Sequence, residues 1–266
     1  MNANMNAQAS TPSVLQRLRH GAVDWLRTWW RLAQFAVLML SVALTPSTYG
    51  RANRPVLARH LVADTVPNLA WFGVLSALVS LVLIRIVLVT SLSYGLSRFA
   101  LEMVVRVLVL ELIPLTAAAF VALRTTLPSG LEFSQGRGAG AIATVQELRS
   151  EFFPRVAAGV FAVWMLAAVS CVLALILAYL TLYGFTPWAL AGYTRVVGQV
   201  FNPAVTLILV LKVAFFSFAV GLTPMASSFY FGANYRVKLT HGLSDMVRLF
   251  AMILLIEVAS LMGNYY

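Results

Sequence analysis

Six ionisable side chains lie within long apolar stretches of the sequence, where a charge is unusual and therefore informative. Three are basic and three are acidic; they are Arg85, Glu102, Arg106, Glu111, Lys212 and Glu257. A charged side chain at the centre of an isolated membrane helix costs roughly 2.5–3.5 kcal/mol, so such residues usually pair or line a polar cavity. The pattern predicts either a polar patch that meets a ligand headgroup or a set of ion pairs that fixes helix packing.

Helical spacing separates these residues into those that satisfy each other and those that need a partner elsewhere. Glu102 and Arg106 are four positions apart, so they are neighbours on one helix face and are expected to pair. At about 100° per residue, Glu111 lies on the face opposite Glu102 and needs a partner on another helix. Lys212, near the middle of a later apolar run, is the predicted partner. Arg85 and Glu257 are predicted to lie in the outer third of their runs.

Other kinds of chemistry find little support in the sequence. The three histidines, His20, His60 and His241, are far apart and have no Cys or acidic neighbour at ligand spacing, so no metal site is expected. The two lysines, Lys212 and Lys238, stand outside any glycine-rich phosphate-binding motif. The sequence therefore predicts a protein that is not an enzyme, with no catalytic residue and no cofactor, so any nucleotide is bound by another chain.

The elements that must position these residues are long helices. Five apolar runs are long enough to span a membrane, at about 66–90, 99–123, 156–183, 201–223 and 243–263. Residues 13–45 interleave arginines with tryptophans and leucines at helical spacing, which is typical of an amphipathic helix lying in the membrane interface. We expect an all-α integral membrane protein with a single domain over 13–264 and a disordered N-terminus over 1–12.

The distribution of basic residues predicts the orientation of these helices. With the N-terminus in the cytoplasm, the outer segments hold only Arg98 and Arg195, and the inner segments hold the other loop arginines and Lys238. The C-terminus then lies outside. The largest inner segment, Arg124 to Arg155, begins with prolines and glycines and continues as a short amphipathic helix over 141–153, which would suit docking of a partner.

Composition agrees with a membrane protein. Of the 266 residues, 61% are hydrophobic and 11% are charged, against about 45–50% and about 25% in an ordinary soluble domain. The net charge of +10 would by itself suggest nucleic acid as a partner. Because so few polar residues are available to cover a soluble surface, the basic residues instead mark one side of a membrane.

Three stretches are similar to motifs of a known family. LELIPLTAAAFVALR, from Leu110 to Arg124, is similar to its RELGP stretch, with Glu111 and Pro114 on the Glu and Pro. LVLKVAFF places Lys212 on a lysine of its fourth span. GANYRVKLTHGLSDMVRLF and ILLIEVASLMGN are similar to its final region, with Glu257 where Asp is usual. The chain thus resembles a divergent member of the MlaE/YrbE family, the permease subunits of ABC transporters that move lipids with MCE-domain proteins.

The resemblance implies a function and a set of partners. It implies a bacterial inner-membrane permease for phospholipid or a related lipid, a second permease copy or paralogue, an MCE-domain protein on the outer face and a small cytoplasmic accessory subunit. The ATP would be bound by an ATPase that docks on the 141–153 helix. The expected docking residues are Val145, Glu147, Leu148, Arg149, Glu151 and Phe152. A self-contained proton-coupled secondary transporter and a non-transporting scaffold are the alternatives.

Overall fold

The computed structural model describes residues 14–51, 53–96, 99–136, 144–230 and 235–265. Every regular element in these ranges is helical, and five helices are long and apolar enough to cross a membrane. The predicted all-α membrane architecture is therefore confirmed. The N-terminus predicted to be disordered, residues 1–12, lies outside the described ranges.

Seven helices make up the described part of the chain. In order they are α1 (Val14–Leu44), α2 (Arg54–Ser93), α3 (residues 100–136), α4 (Val145–Tyr183), α5 (Leu190–Val200), α6 (Pro203–Tyr230) and α7 (Tyr235–Tyr265). Two short 3₁₀ turns, Pro46–Tyr49 and Pro187–Ala189, follow α1 and precede α5. The candidate spans lie on α2, α3, α4, α6 and α7, so α1 and α5 flank the spanning bundle.

The helix predicted over 13–45 is present as α1, and one of its faces packs against the bundle. Leu32, Phe35, Met39 and Val42 recur at spacings of three and four, and all four are buried. The Phe35 ring lies edge-on to the ring of Phe152, with 6.1 Å between centroids. This apolar stripe at helical spacing is what a helix needs to pack along a larger body.

The core lies where α2, α3, α4, α6 and α7 meet. Small residues of α3 and α4 bring the helices close, and larger residues fill the space between them. The cluster includes Phe72, Ala117, Ala118, Val121, Ala162, Leu166, Phe216, Val220, Leu249 and Ile253. Small side chains at these contacts are typical of membrane helix packing, in which van der Waals contact replaces the hydrophobic driving force.

Two glycines permit a close contact between α4 and α6. A Cβ atom on Gly159 would lie 2.9 Å from Thr126 Cγ2 and 3.3 Å from Gly221 Cα. A Cβ atom on Gly221 would lie 2.9 Å from the carbonyl oxygen of Val156. Both glycines are therefore required by backbone approach, because neither position leaves room for a methyl group.

The cytoplasmic connection predicted from Arg124 is shorter than expected. We predicted a proline- and glycine-rich loop, but α3 continues as a helix to Gly136. Pro128 lies just after a π-helical segment, Ala122–Thr126, whose altered backbone hydrogen bonds accommodate it, and Gly130 is a packing contact with Pro224 on α6. The part of this connection over 137–143 lies outside the described residues.

The amphipathic helix predicted over 141–153 is the beginning of α4 and is not a separate element. The chain is helical without a break from Val145 to Tyr183. A π-helical segment, Leu148–Phe152, directly precedes Pro154, which stands in the first turn of the following α-helical segment. The wider turn changes the backbone hydrogen-bond pattern just before the proline, so the helix continues past residue 153, where it was predicted to end.

Candidate functional site

The centre of the candidate site is the ammonium group of Lys212 on α6. It donates hydrogen bonds to the carboxylate of Glu111 and to the carbonyl oxygen of Leu110, the latter at 3.3 Å, both on α3. It also forms an ion pair with Glu257 on α7, with 2.8 Å between Nζ and Oε2. Three helices therefore meet on one cation. We call Glu111, Lys212 and Glu257 the charge triad.

The charge triad is buried, which makes its pairing energetically important. The side chain of Lys212 is 1% exposed, that of Glu111 12% and that of Glu257 11%. A buried ammonium has three N–H donors; Leu110 and Glu111 accept hydrogen bonds from it, and Glu257 pairs with it by charge. With both carboxylates ionised, the triad has a net charge of −1. The Lys212 ammonium is therefore the group that allows the two acids to lie together.

Local backbone geometry presents Glu111 to the other two helices. Glu111 lies in a π-helical segment of α3, Val105–Leu112, which is followed by Pro114 in the first turn of the next α-helical segment. Such wide turns are uncommon in α-helices and are frequently found at functional sites. Glu111 faces α6 and α7, whereas Glu102 and Arg106 lie toward the exposed side of α3.

The three members of the triad lie at a similar level because α3 and α6 begin, and α7 ends, at the same end of the bundle. Glu111 is eleven residues after the start of α3, Lys212 is nine after the start of α6, and Glu257 is eight before the end of α7. At 1.5 Å per residue, all three lie about 12–17 Å from the end of the bundle at which α3 and α6 begin. The predicted Glu111–Lys212 contact is therefore present. The contact between Glu257 and Lys212 was not predicted.

The remaining charges behave differently from the triad. Arg106 donates to Glu102 at 3.0 Å across one helical turn, and both side chains are more than a third exposed. This pair satisfies itself, as its spacing predicts. Arg85 is exposed on α2, and none of the ion pairs found in the described ranges includes it.

The predicted docking residues at the start of α4 divide between surface and core. Thr144 and Glu147 form a reciprocal capping box that fixes the first turn: the Glu147 amide donates to Thr144 Oγ1 at 3.3 Å and the Thr144 amide to Glu147 Oε2 at 3.0 Å. Val145 and Glu151 are exposed, and Glu147 and Arg149 are half-buried.

Two of the predicted docking residues instead hold α4 to the bundle. Leu148 and Phe152 are buried in the cluster that contains Phe35 of α1. The Phe152 ring also meets that of Phe133 with 4.8 Å between centroids. The amphipathic pattern that suggested a docking face is explained by this internal contact, which leaves Val145 and Glu151 as the residues available to a partner.

Two features near the ends of the bundle were not predicted. A cleft of about 700 Å³ opens between α2, α3 and α4, with Asp64, Glu132, Glu151 and Arg155 among its walls. Its residues come from three separate helices, so no local spacing could have identified it. Helix α5 was also missed, although Tyr193, Val196, Val197 and Val200 recur at helical spacing, and Tyr193 donates to the Leu175 carbonyl at 2.7 Å.

Comparison with known protein families identifies the family of this chain. Residues 57–262, most of the chain and all of the charge triad, match the permease MlaE family. The chain belongs to the MlaE permease family. No curated protein sequence matches it. Membership makes the chain a multi-pass membrane permease of the ABC-transporter type and a non-enzymatic transporter subunit, in agreement with the sequence prediction.

The MlaE-family match also confirms the resemblance noted in the sequence. The stretches around Glu111, Lys212 and Glu257 all fall within it. In the folded chain these three separate stretches converge on one buried cluster. The motifs that carry the resemblance are thus joined by direct contact and not only by their order along the chain.

Proposed function

We propose that this chain is the membrane subunit of an ABC transporter that moves phospholipid or a related lipid between the inner membrane and an MCE-type partner. Its place in the MlaE family supports lipid transport. The sequence has no glycine-rich nucleotide-binding motif of its own, so the proposal assigns ATP binding to a separate ATPase subunit. A second permease copy or a paralogue would complete the membrane core, with a small cytoplasmic accessory subunit as a further component.

The observation that carries this proposal is the charge triad. It connects α3, α6 and α7 through one ammonium group, so any movement that separates these helices must break or exchange a buried ion pair. A transporter that opens a lipid cavity first to one side and then to the other needs two discrete helix arrangements. Keeping both Lys212 ion pairs in one state and releasing one of them in the other would provide two such arrangements.

The proposed partners are assigned to opposite ends of the bundle. The ATPase would contact the cytoplasmic end through Val145 and Glu151 at the start of α4, and the MCE protein would cover the outer end. Exposed apolar side chains along α2 and α7, such as Val82 and Leu255, supply surface for lipid or for a second permease. The distribution of basic residues supports an N-terminus in the cytoplasm and a C-terminus in the periplasm.

Copurification and reconstitution test the proposal together. The tagged chain, extracted in mild detergent, should recover an ATPase and an MCE-domain protein, and the complex should transfer lipid when ATP is added. Glu111→Gln should slow the transfer, whereas Glu102→Gln on the same helix should not. Failure to recover either partner would refute the assignment.

Two further results would favour the alternative functions. Substrate movement by the purified chain alone under a proton gradient would indicate a secondary transporter. Lipid-stimulated ATP hydrolysis that is unchanged by Glu111→Ala and by Lys212→Ala would indicate a scaffold without a part in transport.

A further inference from the structure

One charged side chain in the bundle lies outside the ion pairs described above. Arg85 is the single ionisable residue of α2 between Thr65 and Ser93. It is exposed, and it lies in a groove of about 580 Å³ on the surface of the helix. The other lining residues are almost all aliphatic: Leu81, Val82, Ile86, Val89 and Thr90.

The contrast with the other intramembrane charges is direct. Lys212 has two carboxylates and Arg106 has one, whereas the ion pairs of the described ranges leave Arg85 without a carboxylate. A guanidinium group surrounded by aliphatic side chains in a spanning helix is costly unless an anion accompanies it. The ion pairs of the described ranges supply none to Arg85, so an anion from another molecule would lower this cost.

The position of Arg85 along α2 limits what that molecule can be. It lies eight residues before Ser93, the end of the helix, which is about 12 Å at 1.5 Å per residue. A long arginine side chain extends several ångströms toward the membrane surface. The guanidinium can therefore reach the headgroup level of one leaflet while its stem stays among Val82 and Ile86.

We propose that Arg85 is the phosphate-binding residue of a phospholipid site on α2. The guanidinium offers two parallel N–H donors that match two phosphate oxygens, and the aliphatic wall of the groove accepts an acyl chain. A phospholipid has both a phosphate for the guanidinium and an acyl chain for the apolar wall, whereas free phosphate would contact only the guanidinium. This inference rests on the proposed function, because it assigns a headgroup contact to the transported lipid.

The exposed surface that continues from Arg85 fits an acyl chain. Leu78, Val82, Ile86 and Val89 are all exposed and follow one another along the same side of α2. They extend for eleven residues, or about 16 Å. A carboxylate from a second permease copy is the other source of an anion, and the experiment below separates the two.

The test uses the complete complex purified from its native membrane. Bound phospholipid per permease is measured by mass spectrometry after repeated detergent exchange, for wild type, Arg85→Gln, Arg85→Lys and Arg106→Gln. Arg85→Gln should retain about tenfold less phospholipid, since it loses charge-assisted hydrogen bonds to the phosphate. Arg85→Lys should retain an intermediate amount, because lysine offers a single point charge. Arg106→Gln, the matched control with its own Glu102 partner, should equal wild type.

A second measurement leaves Arg85 unchanged. A photo-crosslinking amino acid in place of Val82 should attach to phospholipid when irradiated in the intact complex. Attachment to a second permease chain would overturn the proposal, and so would equal phospholipid retention by Arg85→Gln and wild type.

The outcome for the lipid site is separable from the outcome for the proposed function. A complex that transfers lipid with ATP, but whose Arg85→Gln variant retains phospholipid normally, would refute only the Arg85 site. Phospholipid retention that depends on Arg85, in a chain that recovers no ATPase, would support the site and refute the transporter assignment.

Discussion

Substitutions in the charge triad should destabilise the protein in an order set by the charges each one leaves behind. Lys212→Met removes the cation and leaves the carboxylates of Glu111 and Glu257 together in a buried position. Glu111→Gln leaves a neutral Lys212–Glu257 pair, whose ion-pair distance is 2.8 Å. Glu102→Gln removes one member of a pair that is more than a third exposed. The expected order of destabilisation is Lys212→Met, then Glu111→Gln, then Glu102→Gln.

The magnitudes follow from burial. Removing one partner of a buried ion pair typically costs about 3–5 kcal/mol, and Lys212 is 1% exposed, so Lys212→Met should fall in that range. Glu111→Gln loses a hydrogen bond to a charged group while a second carboxylate remains, which corresponds to about 1.5–3 kcal/mol. The exposed Glu102–Arg106 pair, weakened by solvent screening, is worth less than about 1 kcal/mol.

Unfolding in mixed micelles can measure these differences. The fluorescence of the six tryptophans and the helical circular dichroism signal should give one midpoint for each variant as the denaturing detergent increases. Equal losses from Glu111→Gln and Glu102→Gln would refute the reasoning, because burial would then have no influence on the pairs. A Lys212→Met variant as stable as wild type would show that the ammonium group does not hold the two carboxylates.

Three further perturbations test the packing and the helix ends. Gly221→Ala should lower stability by about 1–3 kcal/mol because its Cβ would meet the Val156 carbonyl oxygen at 2.9 Å. Gly192→Ala on exposed α5, with no atom within 4 Å, should leave the unfolding midpoint unchanged or slightly raised. Thr144→Ala should cost about 0.5–2 kcal/mol of local helix stability, seen as faster amide exchange at Glu147, and unchanged exchange would contradict the capping box. Burial raises the pKa of Tyr193 to about 12, with a smaller contribution from Tyr183. The folded state therefore favours the neutral phenol, and the stability that this contributes is present below about pH 10 and is lost as the pH rises through 12. Phenolate absorbance should show a tyrosine that titrates near pH 12, and the loss of this signal in Tyr193→Phe assigns it.

The spanning helices could be predicted from the sequence because each depends on one continuous apolar run. All five predicted runs lie on the five candidate spans. The ends of the helices were harder, because a helix extends past its apolar part wherever polar residues find a position in the interface. Helix α2 begins at Arg54 and α3 ends at Gly136, well beyond the apolar runs that predicted them.

The connection between α3 and α4 shows why local signals fail at packed helix ends. Pro128, Gly130 and Pro154 read as breakers when only the neighbouring residues are considered. In the folded chain, Gly130 leaves space for Pro224 of α6. Ser228, also on α6, donates a hydrogen bond to the Gly130 carbonyl oxygen at 2.9 Å. A contact between residues nearly a hundred positions apart therefore decides the local structure, and no window of sequence contains it.

Helical spacing and charge could predict one contact of the charge triad but not the other. Helical geometry placed Glu111 opposite Glu102 and so required an external partner, and Lys212 followed because few cations were available. The contact of Glu257 with Lys212 was not predicted, because the level at which residues of two helices meet depends on how those helices pack and not on the apolar run of either one. Once that level is known, counting charges becomes decisive: the triad uses one cation for two acids, Glu102 and Arg106 pair with each other, and Arg85 remains. The six residues contain three bases and three acids, but they do not form three pairs. One more carboxylate than cations is buried at Lys212, and Arg85 remains on the surface of α2 without a carboxylate among the described ion pairs. Since these two are on different helices and are not paired, the balance is not a set of three internal ion pairs, and the exposed cation is the one open to a ligand.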